Sequence, residues 1–411
     1  MSPRRAHDSS GLLWTTFVLA HLLTVVAALW VYPFTGFGDV AVYHGWVRAG
    51  LDGNGWPVLD HPSVYPVGAL LPMILLAPVE GGGMYLMSWI LLVSVLDAVV
   101  LVMIERDPRR SRTASWWWVL SILLLGPVAL SRLESVMVPL TVVAVLWFPR
   151  RPAVASALIT LAGWIKVVPM VWLPLLLLAE PRRSRRMVAA SVAVSAAMIV
   201  PSLALGSGGR ILSFLTAQTG RDLQIESVPA TVLQMSRLLG AGPEPRYDDE
   251  LNTWQFGGAT ADLLGQIATW LLVPAVIGVF LVAKRALRAV PDRRPEVLAS
   301  TLLAATLCLI VFNKVGSPQY LAWPAAAVVL GLIVRDRASN WWLGWAVVVL
   351  AADLLTQLVF PHFYVPLLDG SPLVIVVLVI RNVLLVGLLV AVVRRLLVAE
   401  VSTVDVVARV S

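Results

Sequence analysis

Apolar runs long enough to cross a lipid bilayer recur along the whole chain. Four of the clearest are residues 11–33, 187–205, 263–283 and 372–393. A helix needs about 20 residues to span a hydrocarbon core of about 30 Å, so each run predicts one membrane crossing. Only 13% of the residues are charged, about half the share found in soluble proteins. The pattern predicts a polytopic, all-α membrane protein in which residues 1–411 form a single integral membrane domain.

The positive charges are concentrated in the termini and in short loops between the apolar runs, which hold all but nine of the 31 basic residues. Such loops remain on the cytoplasmic side of a cell inner membrane. We therefore expect both termini in the cytoplasm, and we attribute the net charge of +7 to orientation rather than to a nucleic-acid partner. The first apolar run follows Arg4 and Arg5 without a small-residue cleavage site, which indicates a retained signal anchor.

The order of the basic loops predicts about twelve transmembrane helices. Residues 116–148 and 153–179 have basic loops at both ends, so each is predicted to form a helical hairpin with an outward turn. Each arm of the second hairpin has about 13 residues, too few for a full crossing, which indicates a cavity or a thinned membrane above it. The other predicted crossings are residues 12–33, 84–104, 187–206, 263–283, 296–313, 319–334, 341–360 and 372–393.

A shorter apolar stretch, residues 64–78, contains three prolines and lies between the first two crossings. As a helix it would be about 22 Å long, too short to cross the bilayer. We interpret it as a re-entrant or interfacial helix on the outer side, which keeps the later basic loops in the cytoplasm. Residues 34–62 and 207–262 are then the two large outer loops.

Nine basic residues lie outside the basic loops. They are Arg48, Arg132, Lys166, Arg210, Arg221, Arg237, Arg246, Lys314 and Arg381. All except Arg381 fall on outer loops or outward turns, including Lys166 and Lys314, two of the three lysines in the chain. This placement opposes the usual charge bias and favours an anionic ligand, such as a lipid phosphate, at the outer membrane face. For any single residue, snorkelling to lipid headgroups is the alternative.

Two charged residues fall within predicted crossings at similar depth. Asp353 and Arg381 lie on the last two long helices, and we predict that they pair in a structural salt bridge rather than act in catalysis. Asp97 is predicted to be a packed polar residue. The single cysteine, Cys308, excludes an internal disulfide.

The first outer loop carries a carboxylate, Asp39, directly after the first crossing and close to Tyr43 and His44. An aspartate in this place can cap the helix that follows it. A partly buried carboxylate near other charges is also suited to act as a general base. The sequence alone leaves both interpretations open.

Several segments in this order match a known pattern: Gly38-Asp39-Val-Ala-Val-Tyr43, Val64-Tyr65-Pro66, Gly163-Trp-Ile-Lys166-Val-Val-Pro169, Arg221-Asp-Leu-Gln224-Ile-Glu226-Ser227 and Ser317-Pro318-Gln319-Tyr320-Leu321. They resemble the GT-C superfamily of membrane glycosyltransferases, and specifically glycosyltransferase family 87, over roughly residues 35–325. The chain departs from the family where Ser131-Arg132-Leu133-Glu134 replaces the common Gly-Gln-x-Asn turn, and where Tyr65-Pro66-Val67 replaces Tyr-Pro-Pro.

The resemblance implies transfer of a sugar, expected to be mannose, from a polyprenyl-monophosphate donor to a lipid or glycan acceptor on the extracytoplasmic face. It implies that Asp39 is the general base and that the outer loops 34–62 and 207–262 form the roof of the active site. The expected donor-phosphate ligands are Lys166, Arg132, Arg221 and Lys314. The expected substrate contacts are Tyr43, His44, His61, Tyr65, Glu134, Gln224, Glu226 and Gln319. A monophosphate leaving group does not require a divalent ion, so we expect neither a metal nor a cofactor.

Two other classes of function remain open. A multi-pass transporter or lipid flippase has the same composition, but transporters often contain internal repeats and helices broken at mid-membrane. No repeat is visible here, and the unusual polar residues gather at one face, which disfavours transport. A non-catalytic scaffold or an inactive glycosyltransferase homologue is the third alternative.

Overall fold

A computed structural model describes residues 3–31, 36–109, 111–217, 220–249, 252–335 and 340–410. The junction of the first predicted crossing with the first outer loop, residues 32–35, lies outside the described residues. So do Arg110 and Arg337 of the predicted basic loops, and residues 218–219 and 250–251 of the second outer loop.

The described chain is mostly helical. In chain order the helices are α1 (Pro3–Val26), α2 (Gly38–Leu51), α3 (Leu70–Leu75), α4 (Gly82–Arg106), α5 (Arg112–Leu125), α6 (Pro127–Ser131), α7 (Glu134–Trp147), α8 (Pro152–Ile165), α9 (Trp172–Ala179), α10 (Ser184–Ala204), α11 (Ser213–Thr216), α12 (Thr231–Leu238), α13 (Ala259–Ala289), α14 (Arg294–Val311), α15 (Ala325–Val334), α16 (Trp341–Gln357), α17 (Tyr364–Leu368) and α18 (Pro372–Val410).

Seven helical segments of the described chain are long and apolar enough to cross a membrane. They are Ser10–Val31, Gly82–Arg106, Pro181–Ala204, Ala259–Ala289, Pro291–Val311, Trp341–His362 and Pro372–Val398. Shorter apolar segments are Glu134–Trp147, Pro152–Ile165, Val168–Ala179 and Pro318–Val334. The prediction of a helical membrane protein is confirmed, whereas the number of about twelve crossings stays a prediction.

Helix breaks fall at the two turns that the charge pattern predicted. Extended backbone at Arg132 separates α6 from α7, and extended backbone at Lys166 ends α8. Pro152 occupies the first turn of α8, where its missing N–H leaves no hydrogen bond unmade. From there α8 is only about 21 Å long. A helix of this length that starts at one boundary of a hydrocarbon core of about 30 Å stops well before the other boundary, so Lys166 lies within the depth of the core.

The second outer loop contains secondary structure that the sequence analysis did not predict. It contains α11, α12 and a three-stranded antiparallel sheet of β1 (Leu223–Gln224), β2 (Arg246–Asp248) and β3 (Thr253–Phe256), in the order β1–β3–β2. The all-α prediction therefore omits a small sheet. The Thr-Trp-Gln-Phe sequence of β3 suits a strand. Its partner, residues 223–224, is about 30 residues away in the sequence, so no local sequence pattern predicts the pairing.

Helix α14 lies at the centre of the bundle, since 78% of the residues in its membrane-spanning window are buried. The corresponding windows are 11% buried for α10 and 17% for α13, so these two helices lie at the periphery. Their exposed side chains are apolar, as Val192, Leu263 and Trp270 illustrate. A helix that exposes apolar residues in this way is suited to contact lipid.

Contacts between the outer segments bring distant residues together. Arg210 Nε donates to the carbonyl of Leu59 at 2.8 Å, and the Ser63 N–H donates to Ser213 Oγ at 2.9 Å. Gly68 packs so closely on α8 that a Cβ there would lie 2.6 Å from the carbonyl carbon of Trp164. These contacts hold the residues that precede Gly68 beside the end of α8.

Candidate functional site

A cavity of about 730 Å³ lies where the ends of α8, α13 and α14 meet. Each of these helices has a basic loop at its opposite end, so the cavity belongs to the face that the charge pattern predicts to be extracytoplasmic. Three predicted phosphate ligands, Lys166, Arg221 and Lys314, line it. The structure thus brings together cations that are far apart in the sequence.

Lys166 is surrounded by three aromatic rings. Its Nζ lies 5.6 Å from the ring centroid of Tyr65, 5.4 Å from that of Tyr320 and 6.0 Å from that of Trp323. Tyr320 and Trp323 stack on each other with their centroids 3.9 Å apart. Ring faces attract a cation, so this arrangement fixes the ammonium at the cavity wall.

Glu134 is the anionic partner of Lys166, and the two side chains form a salt bridge. The carboxylate of Glu134 is buried and also accepts a hydrogen bond of 3.3 Å from Trp323 Nε1. An ammonium has three donors, and the salt bridge with Glu134 occupies one of them. Lys166 therefore retains donor capacity toward a ligand in the cavity.

Arg221 and Lys314 are held by contacts between two loops. Lys314 Nζ donates to the carbonyl of Arg221 at 2.5 Å, and the Gln224 N–H donates to the carbonyl of Lys314 at 3.0 Å. Gln224 Oε1 in turn accepts from the Gly316 N–H at 2.9 Å. Burial lowers the pKa of Lys314, while the nearby Asp222 carboxylate opposes that shift. The two loops therefore act as one unit that presents both cations.

The closest approach of these loops predicts a sensitive position at Gly316. A Cβ there would lie 2.3 Å from Ser227 Cα. This neighbour is a backbone atom, so it cannot relieve the clash by a change of side-chain rotamer. We expect Gly316→Ala to destabilise the protein by about 1–3 kcal/mol through overpacking, measured as the thermal unfolding of purified protein in detergent. Gly387→Ala is the matched control, because nothing lies within 4 Å of a Cβ at that position. Equal stability of the two variants would contradict the close packing.

Asp39 lies in the first turn of α2 and forms a salt bridge with Arg132. The N-cap position of α2 is occupied by Phe37, and Asp39 is the second residue of the helix rather than its cap. Neither Asp39 nor Arg132 lines the large cavity. Burial acts to lower the pKa of Arg132, but the Asp39 carboxylate outweighs it and raises that pKa.

Tyr65 lines the cavity and also lies near the Asp39–Arg132 pair. Its ring lines the cavity wall, and its hydroxyl is influenced by the carboxylates of Asp39 and Glu134. Burial, followed by these two charges, raises the pKa of Tyr65. Its hydroxyl therefore stays protonated and available as a hydrogen-bond donor. Tyr43 is buried and packs on Trp89, with ring centroids 5.2 Å apart.

The other predicted substrate contacts lie away from the cavity. His44 packs against Tyr85, with ring centroids 4.9 Å apart. His61 Nε2 contacts the carbonyl of Asn54 at 3.2 Å within an exposed turn. Gln319 is partly exposed and is not among the described residues that line the cavity.

Gln224 and Glu226 are buried, and they contact each other through Gln224 Nε2 and Glu226 Oε2 at 3.3 Å. Neither side chain lines the large cavity. Glu226 instead lines a small cavity of about 10 Å³ together with Arg381. Their position indicates a role in holding the loops that carry Arg221 and Lys314.

The predicted pairing of Asp353 with Arg381 is wrong. Arg381 donates to the backbone carbonyl of Glu226 and to the side-chain oxygen of Asn382. Asp353 Oδ1 has no hydrogen-bond partner within the described part of the chain. The two residues were predicted to lie at similar depth in the membrane. Depth alone does not determine the side of the helix on which a residue lies, so the two side chains need not meet. The packed role of Asp97 is confirmed by its contact of 3.1 Å with His21.

The residues of the cavity wall that the sequence analysis missed include two aspartates and two aromatic residues. Asp222 and Asp262 line it, as do Tyr320 and Trp323 beside Lys166. The aromatic pair had a signal, since residues three apart in a helical turn that follows Pro318 share a face. The two aspartates had none, because many acidic residues of outer loops are simply solvated.

A comparison with known protein families identifies a match. A family model described as "Glycosyltransferase family 87" matches residues 64–311, more than half of the chain. The matched range contains Lys166, Arg132, Arg221 and Glu134, whereas Asp39 and Lys314 lie outside it. A comparison with curated proteins finds no match, and neither does a comparison with solved structures.

Proposed function

The chain belongs to glycosyltransferase family 87, and from this premise we propose that it transfers a sugar from a polyprenyl-monophosphate donor at the extracytoplasmic face. Mannose is the expected sugar and the hydroxyl of a lipid or glycan is the expected acceptor. The observation that supports this proposal best is the convergence of Lys166, Arg221 and Lys314 on one cavity. Cations placed where the phosphate charge develops stabilise the transition state.

The rest of the cavity wall suits the lipid part of such a donor. Apolar residues contribute to it from three segments: Val167, Val168, Phe214, Leu215, Trp270 and Leu272. Trp270 lies on the lipid-facing helix α13, about 21 Å along that helix from the cytoplasmic Lys284. The apolar part of the cavity therefore reaches into the outer half of the hydrocarbon core, where a prenyl chain resides.

The proposed reaction assigns a role to each of these positions. The acceptor oxygen attacks the anomeric carbon, the bond from that carbon to the phosphate oxygen breaks, and its electron pair leaves with the phosphate. Asp39 takes the proton of the acceptor hydroxyl. Because Asp39 does not line the cavity that holds the cations, we propose that the acceptor enters from the side of α2 and the donor from the side of α13. Arg132 orients the Asp39 carboxylate through their salt bridge.

A substitution that fills the cavity with a larger side chain tests whether the lipid donor binds there. Thr269 lines the cavity on α13, and we expect Thr269→Trp to raise the KM for the lipid donor at least about tenfold, because the indole occupies donor space. Leu263→Trp is the matched control, since Leu263 lies on the same helix, is exposed and is not among the described cavity residues. An unchanged donor KM in Thr269→Trp would contradict a donor site along α13.

The proposed activity is tested with purified protein in proteoliposomes supplied with radiolabelled polyprenyl-phosphate-mannose and a membrane-lipid extract as acceptor. We expect label to move from the donor to an acceptor in a new glycosidic bond. Movement of intact donor between leaflets without bond formation would instead favour the transporter. Neither transfer nor movement, with a range of donors and acceptors, would favour the scaffold.

A further inference from the structure

Helix α12 exposes an apolar face that the proposed reaction does not use. The exposed fractions are 58% for Val232, 44% for Met235 and 83% for Leu239, which follows the helix. These three residues lie on or near one side of the helix by their spacing. The only charged residue of α12 is Arg237, whose side chain is 4% exposed. An uncharged apolar face of this kind needs an apolar partner.

The position of α12 is given by its contacts with α18 and α17. At its start, Asn382 Nδ2 donates to Thr231 Oγ1 at 2.8 Å. At its end, Arg237 donates to the carbonyls of Leu367 and Leu368 at 3.0 and 2.6 Å. Asn382 lies about 15 Å along α18 from its first residue. Helix α12 therefore runs beside the outer half of a helix that spans the membrane.

Arg381 explains why non-helical backbone is stable at this depth. It is buried within α18 and donates to the carbonyl of Glu226, while Asn382 Nδ2 donates to the carbonyl of Ser227 at 3.3 Å. Irregular backbone within a membrane is tolerated only where protein or a cavity surrounds it. Glu226 and Ser227 meet that condition because both are buried.

The exposed surface changes character directly after α12. Leu239 is the last of the three exposed apolar residues of this segment, and the next exposed charged side chains are Glu244 at 84% and Arg246 at 64% exposure. A change from apolar to charged surface within a few residues is expected where a segment leaves the hydrocarbon core for water. This change agrees with the depth given by the contacts with α18.

We propose that residues 223–239 form a re-entrant segment in the outer leaflet, with Val232, Met235 and Leu239 in contact with lipid acyl chains. The segment enters beside α18, is held there by Arg381 and Asn382, and returns to the surface before Glu244. Arg221 lies just before this segment in the chain. Contact between the segment and lipid would therefore help to position Arg221 at the cavity, whatever ligand the cavity binds.

Cysteine accessibility tests this proposal, and the chain offers a clean background because Cys308 is its only cysteine. Single cysteines are introduced into a Cys308→Ala protein as Val232→Cys, Met235→Cys and Leu239→Cys, with Glu244→Cys and Tyr247→Cys as water-exposed controls. A membrane-impermeant maleimide is added to proteoliposomes. We expect labelling at the three apolar positions to be at least about tenfold slower than at the controls, because a thiol in lipid does not ionise.

A second measurement separates lipid contact from burial against protein. The same variants carry a nitroxide spin label, and its collisions with oxygen, which concentrates in the bilayer, are compared with those of a water-soluble nickel complex. We expect oxygen to dominate at positions 232, 235 and 239 and nickel to dominate at 244 and 247. Labelling as fast as in the controls would overturn the proposal, as would positions inaccessible to both reagents.

Discussion

Asp39→Asn is expected to lower kcat by about 100-fold to 10,000-fold, because an amide cannot accept the proton of the acceptor hydroxyl. The substitution keeps the size of the side chain and its contact with Arg132, so donor binding should change little. The measurement is the rate of sugar transfer at saturating donor, together with the KM for that donor. A fall in kcat with an unchanged donor KM is the signature of a lost general base.

The control for this prediction, Asp52, lies at the end of the same helix. Asp52 pairs with Arg48 at 3.3 Å, and both side chains are exposed. Asp52→Asn also removes one carboxylate from an arginine pair, but an exposed pair contributes at most about 1 kcal/mol. We expect normal transfer by this variant. Equal activity of Asp39→Asn and Asp52→Asn would eliminate Asp39 as the base.

Lys166→Met should have the second large effect. We expect kcat/KM for the lipid donor to fall by about 100-fold or more, because one cationic donor to the leaving phosphate is lost. The substitution also leaves the Glu134 carboxylate buried without its salt-bridge partner, which destabilises the fold. Thermal unfolding must therefore be measured beside the kinetics.

A double variant separates the two consequences. Lys166→Met with Glu134→Gln removes both charges, so it should recover stability relative to Lys166→Met while transfer stays low. Lys284→Met serves as the lysine control, because Lys284 lies at the opposite, basic end of α13. Recovered transfer in the double variant would show that Lys166 serves folding alone.

The grouping of two lysines was predictable from the distribution of charge. Lys166 and Lys314 stood out as lysines on the predicted outer face, and both line the same cavity. The turns at Arg132 and Lys166 were also predictable, because basic loops at both ends of an apolar run require an even number of crossings. These inferences depend only on the order of basic loops and apolar runs along the chain, which can be read directly from the sequence.

The direction of individual side chains was not predictable. Tyr43 and His44 were both expected near Asp39, but α2 is a helix in which neighbours point about 100° apart. Tyr43, four residues after Asp39, therefore shares its face, whereas His44 turns toward Tyr85. The same rotation explains why Asp353 and Arg381 do not meet despite their similar depth.

Contacts between loops that are distant in the sequence were also not predictable. The sequence predicted a long outer loop at 207–262 but none of its contacts. In the structure, Gln224 joins the loop that carries Lys314, and Arg381 holds the backbone of Glu226. Such contacts depend on tertiary packing, and no local spacing encodes them. The stacked rings of Tyr320 and Trp323 were the exception, because a spacing of three residues is visible in the sequence.

The most direct test of the account is a density map of Asp39→Asn protein in nanodiscs with bound polyprenyl-phosphate-mannose. The account predicts a phosphate between Lys166 and the pair of Arg221 and Lys314, with the prenyl chain beside Trp270 and the sugar toward Tyr65. Density for the phosphate at another place, or a prenyl chain that leaves the cavity away from α13, would contradict it.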